Sequence, residues 1–108
     1  MKSNSTDNSG IRSKTPDSKP PQWTFLTNHF HVIVSLSRDP YSRIRDLSDE
    51  VGITQRAVQR ILAELVEDKV LKVRKEGRRN HYTINRRKRL RHPLENKHTI
   101  GDLLDILS

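Results

Sequence analysis

Gln55, Arg56, Gln59 and Arg60 are the side chains best suited to act on a partner, and their spacing puts them along one side of a helix. Arginine offers two donors that match the paired acceptors of a guanine edge, and glutamine matches the donor and acceptor of an adenine edge. Thr54 stands where an N-cap is needed. The free backbone N–H groups of such a helix start also suit a phosphate. Recognition of base edges and anions is therefore the chemistry on offer. The bland alternative is that these side chains are solvated or touch phosphate only. Val58, Ile61, Leu62 and Leu65 form an apolar stripe on the opposite side, so the helix has an inward and an outward face.

The elements that must position this helix are legible on both sides of it. Residues 44–63, IRDLSDEVGITQRAVQRILA, read as helix, turn, helix. Gly52 sits where the first helix must end, because glycine takes the left-handed C-terminal conformation without Cβ strain. Val51 and Ile53 flank it, Leu47 faces Val58 and Ile61, and Ser48 is small enough for a close crossing. The expected helices run from about Ser42 to Val51 and from about Gln55 to Asp68. An earlier one runs from about Asn28 to Ser37, capped by Thr27, with Phe30, Ile33, Val34 and Ser37 at helical spacing.

Two β-type runs follow, residues 70–76 and 81–85, with Gly77-Arg78-Arg79-Asn80 as the expected turn. Pairing Val73 with Ile84 and Lys75 with Tyr82 puts Leu71, Val73, Tyr82 and Ile84 on one face, ready to pack on the helices. Lys72, Arg74, His81 and Thr83 share the other. Candidate contacts from this hairpin are Arg74, Arg78, Arg79, Asn80 and His81, with an arginine at the tip suited to a minor groove. Arg43 and Arg45, near the start of the second helix, suit backbone phosphates. The Arg86 to Arg89 cluster either touches flanking DNA or is a solvated linker.

Helix, turn, helix and basic hairpin give the expected fold: mainly α with a small β-hairpin, a winged helix-turn-helix with a three-helix core, plus a short C-terminal helix. RIRDLSDEVGITQRAVQRILAELVEDKVL and the wing segment EGRRNHYTI resemble the small winged-helix transcription regulators of the MarR-like and ArsR-like group. The tail LRHPLENKHTIGDLLDIL is similar to that of short single-domain MarR-like members. The resemblance implies duplex DNA as partner and a transcription regulator, most simply a repressor. It does not carry over a sensing mechanism. The wing has Lys75-Glu76-Gly77-Arg78 in place of an Asp before an Arg, only one short terminal helix is present, and there is no cysteine.

Composition agrees with that partner. The chain has 108 residues and a formal net charge of +8, and Lys72 to Arg91 holds ten Lys or Arg against the one acid Glu76. Such a field attracts polyanions. A membrane surface is the rival, but no basic amphipathic helix with a broad aromatic face accompanies the charge. No apolar leader opens the chain, so a soluble cytoplasmic, nucleoid-associated protein of a cell without a nucleus is expected. Of the 34 apolar residues, 25 lie between 22 and 85. This divides the chain into a disordered tail (1–21), a DNA-binding domain (22–86), and a basic linker with a C-terminal amphipathic helix (87–108).

No enzyme and no cofactor are expected. There is no phosphate-binding glycine loop, paired-acid site or nucleophile elbow. His29 and His31, two apart on a helix, diverge by roughly 200° and cannot chelate one ion. His92 and His98 lack the four ligands of a structural zinc site. Other readings are a nucleic-acid-binding accessory protein without sequence choice and a winged-helix adaptor for proteins. The last helix, capped by Thr99, presents Ile100, Leu103, Leu104 and Leu107. It is too short to stand alone in water. Its face is expected to meet a second copy, making a homodimer, rather than its own domain. Trp23 and Phe25 either cover the core or meet that helix of the partner.

Overall fold

The structure, a computed structural model, describes residues 22–107, and the tail expected over 1–21 lies outside them. Four helices and one antiparallel hairpin follow in the order α1 (Asn28–Arg38), α2 (Ile44–Val51), α3 (Gln55–Glu67), β1 (Leu71–Glu76), β2 (Arg79–Ile84) and α4 (Ile100–Leu107). They make a mainly helical winged helix-turn-helix with an added C-terminal helix. Local chemistry sets most of the boundaries. The Thr27 hydroxyl accepts from Phe30 N at 3.3 Å to open α1, and Thr54 accepts from Ala57 N at 3.0 Å to open α3. The expected start of α2 at Ser42 moves to Ile44. Ser42 is instead buried, with its hydroxyl on Asp39 O at 2.8 Å. Gly52 ends α2 in the left-handed conformation, φ +84°. Ser48 does more than leave space: its hydroxyl donates to Ile53 O and ties the turn together.

The end of α3 is a Schellman motif. Lys69 N bonds Val66 O at 3.0 Å and Val70 N bonds Leu65 O at 2.9 Å, with Lys69 held at φ +64°. The chain thus leaves α3 directly into β1. Val58, Ile61, Leu62 and Leu65 all lie in the core cluster with Leu47, Phe30, Val32, Ile33 and Leu36.

The wing differs from expectation in register. Leu71 pairs with Ile84, Val73 with Tyr82, Arg74 with His81 and Glu76 with Arg79. The shift is two residues, so the division into faces survives it. Its cause is a two-residue turn at Gly77-Arg78 in place of four. Gly77 has φ +63°, the first-position glycine that matches strand twist in a type II′ hairpin. Tyr82 and Leu71 enter the core, but Val73, expected to pack on the helices, is 46% exposed.

The last helix packs on its own domain. Ile100 and Leu104 are buried, Leu104 to 1% exposure, and Leu103 packs against the same cluster. This corrects the expectation that those side chains meet a second chain: α1 offers them a covered apolar surface without one. Residues 86–90 hold the approach through Gly101 N to Arg86 O at 2.9 Å, Ile100 N to Lys88 O at 2.9 Å and Leu90 N to His98 O at 3.0 Å. A Cβ at Gly101 would stand 3.0 Å from Arg86 O, so a larger residue would push α4 away. Thr99 and Asp102 cap α4 reciprocally, at 2.9 and 3.2 Å. Trp23 and Phe25 do not cover the core. They are 68% and 92% exposed and lie edge to face at 5.1 Å.

Because Leu104 is buried by its own chain and Leu107 is 42% exposed, their truncations separate. We expect Leu104→Ala to lower unfolding free energy by ~2–5 kcal/mol and Leu107→Ala by about 0.5 kcal/mol or less. Equal losses in denaturant titrations would place α4 off the core.

Candidate nucleic-acid interface

The rotation of α3 decides what a partner meets. With Val58, Ile61, Leu62 and Leu65 turned inward, Gln55, Arg56, Gln59 and Arg60 are exposed, as is Thr54 at the cap. Arg60 leans toward Glu64, 3.7 Å away and still 61% exposed, so its head can leave that pair at little cost. Arg56 has no such carboxylate and projects from the first turn. The C-terminal half of α3 has a different character. Glu64 accepts from His29 Nε2 at 2.7 Å, and that bond, ahead of the Arg60 charge, holds its carboxyl below the ordinary range. A groove of about 750 Å³ there is lined by Phe30, Leu65, Ile100 and Leu103 among others, and contains none of the recognition-face residues.

The wing is a cluster of contacts rather than a free ribbon. Tyr41, in the α1–α2 loop, packs its ring against His81 with centroids 4.8 Å apart. Its hydroxyl donates to Glu76 at 2.8 Å, and its carbonyl accepts from Arg79 Nη1 at 3.3 Å. Tyr82 N bonds Pro40 O at 3.0 Å, so the same loop lines the edge of β2. Arg74 donates Nε to Glu76 at 2.9 Å and a second N–H to the same oxygen. His81 is half-buried, and its Nδ1 has no partner.

The five wing candidates are therefore unequal. Arg78 is exposed at the tip with Asn80 beyond it; Arg79 is exposed but shares a bond with Tyr41; Arg74 and His81 are tied into the Tyr41 cluster. Arg43 and Arg45 are exposed at the start of α2, just ahead of Asp46, whose carboxylate accepts from Arg43 N at 3.0 Å. The Arg86 to Arg89 run is partly committed to the fold. Arg86 holds Asp105 at 2.6 Å and Arg89 donates to Asn96 O at 2.9 Å, while Arg87 stays exposed. Trp23 is on the surface. Among the dimer candidates, Ile100 and Leu104 are inside, Leu103 is half-buried and Leu107 is exposed. Among the described residues no set of three or more His, Cys, Asp or Glu comes together as a metal site.

Sequence reasoning missed Tyr41 and the role of Glu76. The Arg74–Glu76 pair has a signal, since residues two apart on a strand share a face. Tyr41 has none, being 35 residues from the carboxylate it meets. Together Arg74 and then Tyr41 hold the Glu76 carboxyl below its ordinary range. A depressed folded value means the stabilisation is full above the ordinary glutamate range and is lost as pH falls through the lower, folded value. We expect Glu76→Gln to be less stable than wild type near neutrality. The gap should close as a denaturation series is carried into acid, and a gap that persists would place the carboxylate free in solvent.

Residues 26–72 match the family model described as winged helix-turn-helix DNA-binding. The match covers all three core helices and ends two residues into β1. No curated protein and no solved structure matches the chain. An exposed polar and basic face on the second helix of the turn and a basic hairpin directly after it are what such a domain needs to dock on duplex. Residues 26–72 are thus similar to winged helix-turn-helix DNA-binding domains, and they fold as one, with β1–β2 as the wing.

Proposed function

We propose that this chain is a sequence-specific duplex-DNA-binding transcription regulator of the MarR-like and ArsR-like kind. It represses by covering a promoter as a homodimer, in the cytoplasm of a cell without a nucleus. The observation that carries this reading is the outward face of α3. Gln55, Arg56, Gln59 and Arg60 are all exposed and lie on the helix that the fold offers to a major groove. On this reading Arg56 and Gln55 reach base edges, while Thr54, Arg43 and Arg45 meet phosphates. Arg78 and Asn80 enter a neighbouring groove from the wing tip, with Arg79 beside them. A protein adaptor would instead be expected to show large apolar anchors on that face. Selection of sites from random duplex DNA tests the proposal directly. An enriched site is expected, and Arg56→Ala should change preference at one base position by ~1–3 kcal/mol. Uniform weakening on all sequences would reduce Arg56 to a phosphate contact, and no enrichment would remove sequence choice.

The homodimer needs a surface other than Ile100 and Leu104. Trp23, Phe25, Ile106 and Leu107 remain, exposed by 68%, 92%, 75% and 42%. A two-fold dimer through such a surface would present two α3 helices to major grooves about 34 Å apart, on an inverted repeat. Sedimentation is expected to show a dimer at tens of micromolar, converted to monomer by Trp23→Ala with Leu107→Asp. A monomeric wild type, or a dimeric variant, rules this assembly out.

A further inference from the structure

The wing's basic character is held in check by the one acid it contains. Both oxygens of Glu76 are engaged, one by two N–H groups of Arg74 and the other by the Tyr41 hydroxyl. Arginine takes a DNA phosphate with the same donors, there as two parallel N–H···O bonds. We propose that Glu76 is an affinity-limiting residue of the wing, an internal stand-in for phosphate that occupies Arg74 and keeps its guanidinium from duplex of any sequence. This rests on the DNA-binding reading of the wing given above.

The pair stands at the surface, with Arg74 66% and Glu76 35% exposed, beside a set of anchored neighbours. Arg74 and Glu76 stand on the same face of β1, and their cross-strand partners His81 and Arg79 are both bound to Tyr41 by ring contact or hydrogen bond. Tyr41 is itself anchored, its N–H donating to Asp39 Oδ1 at 3.0 Å. Arg78, at the tip, has no carboxylate partner, so the wing keeps a free cation where a groove would be met.

The consequence follows from how nucleic-acid affinity divides. A phosphate contact strengthens binding to every sequence equally. Its loss therefore weakens specific and non-specific binding by the same factor and leaves their ratio, set by base contacts, unchanged. Neutralising Arg74 internally removes one contact from the sequence-blind share and leaves α3's base contacts untouched.

The test is binding of a non-specific duplex, by fluorescence anisotropy over a salt series, to wild type, Glu76→Gln, Glu76→Asp, and each of these in an Arg74→Gln background. We expect Glu76→Gln to bind about three- to tenfold tighter and to steepen the slope of log K against log salt by ~0.9, one added phosphate. Glu76→Asp keeps the charge but is too short to hold Arg74, and should show part of the same gain. In the Arg74→Gln background the slope change should vanish for both. A gain that persists there would be a field effect of the lost charge and overturns the proposal. So does an unchanged slope in Glu76→Gln and Glu76→Asp when wild type itself binds. Failure of every protein to bind duplex overturns the DNA-binding reading and this proposal together.

Discussion

The packing of α2 on α3, in a core where Leu47 and Val58 keep no exposed surface, fixes the rotation of α3 about its own axis. A helix that buries Val58, Ile61, Leu62 and Leu65 has no choice about which residues it turns outward. The hydrogen bonds around Gly52 fix the angle at which α2 delivers the chain, and the Thr54 cap fixes where α3 begins. A domain of this size has one small core. It can hold one helix so firmly that its polar side becomes a defined surface. The same four apolar residues thus stabilise the domain and orient its recognition face.

The wing is governed by a different balance. A two-stranded hairpin is marginal in water, and here only Leu71, Tyr82 and half-buried Ile84 anchor it to the core. The rest of its support is polar and comes from the α1–α2 loop, through Tyr41 and Pro40. The ribbon's direction is set by that loop. Substitutions there would reach the hairpin without touching it.

The features legible in the sequence are those decided locally. Caps at Thr27, Thr54 and Thr99, the stop at Gly52 and the stripe on α3 each depend on neighbours within one or two turns, and these fall within two residues of expectation. Hairpin register depends on whether Gly77 opens a two-residue or a longer turn, a choice its own neighbours leave open; the faces came out right because an even shift preserves parity. Long-range choices were not legible. An apolar face such as Ile100–Leu104 needs a surface, but the pattern is the same whether that surface is α1 of its own chain or of another. Gly101, which sets how closely α4 approaches Arg86, looks in sequence like a weak helix position. Tyr41 looks like an ordinary loop residue.

The docking of α4 has a consequence for motion. This helix of eight residues has too little length to persist once undocked. Its attachment is a few buried side chains, the Arg86–Asp105 pair and a handful of backbone bonds to residues 86–90. It is therefore the natural first unit to open, ahead of the three-helix core, in the stepwise local unfolding that amide exchange detects. Each opening would uncover the apolar surface of α1 that Ile100 and Leu104 occupy, and would free Arg86, two residues beyond the end of β2. A molecule that captured that surface would bind an excited state of the fold, and the strand leading out of the wing would lose its tether in the same event.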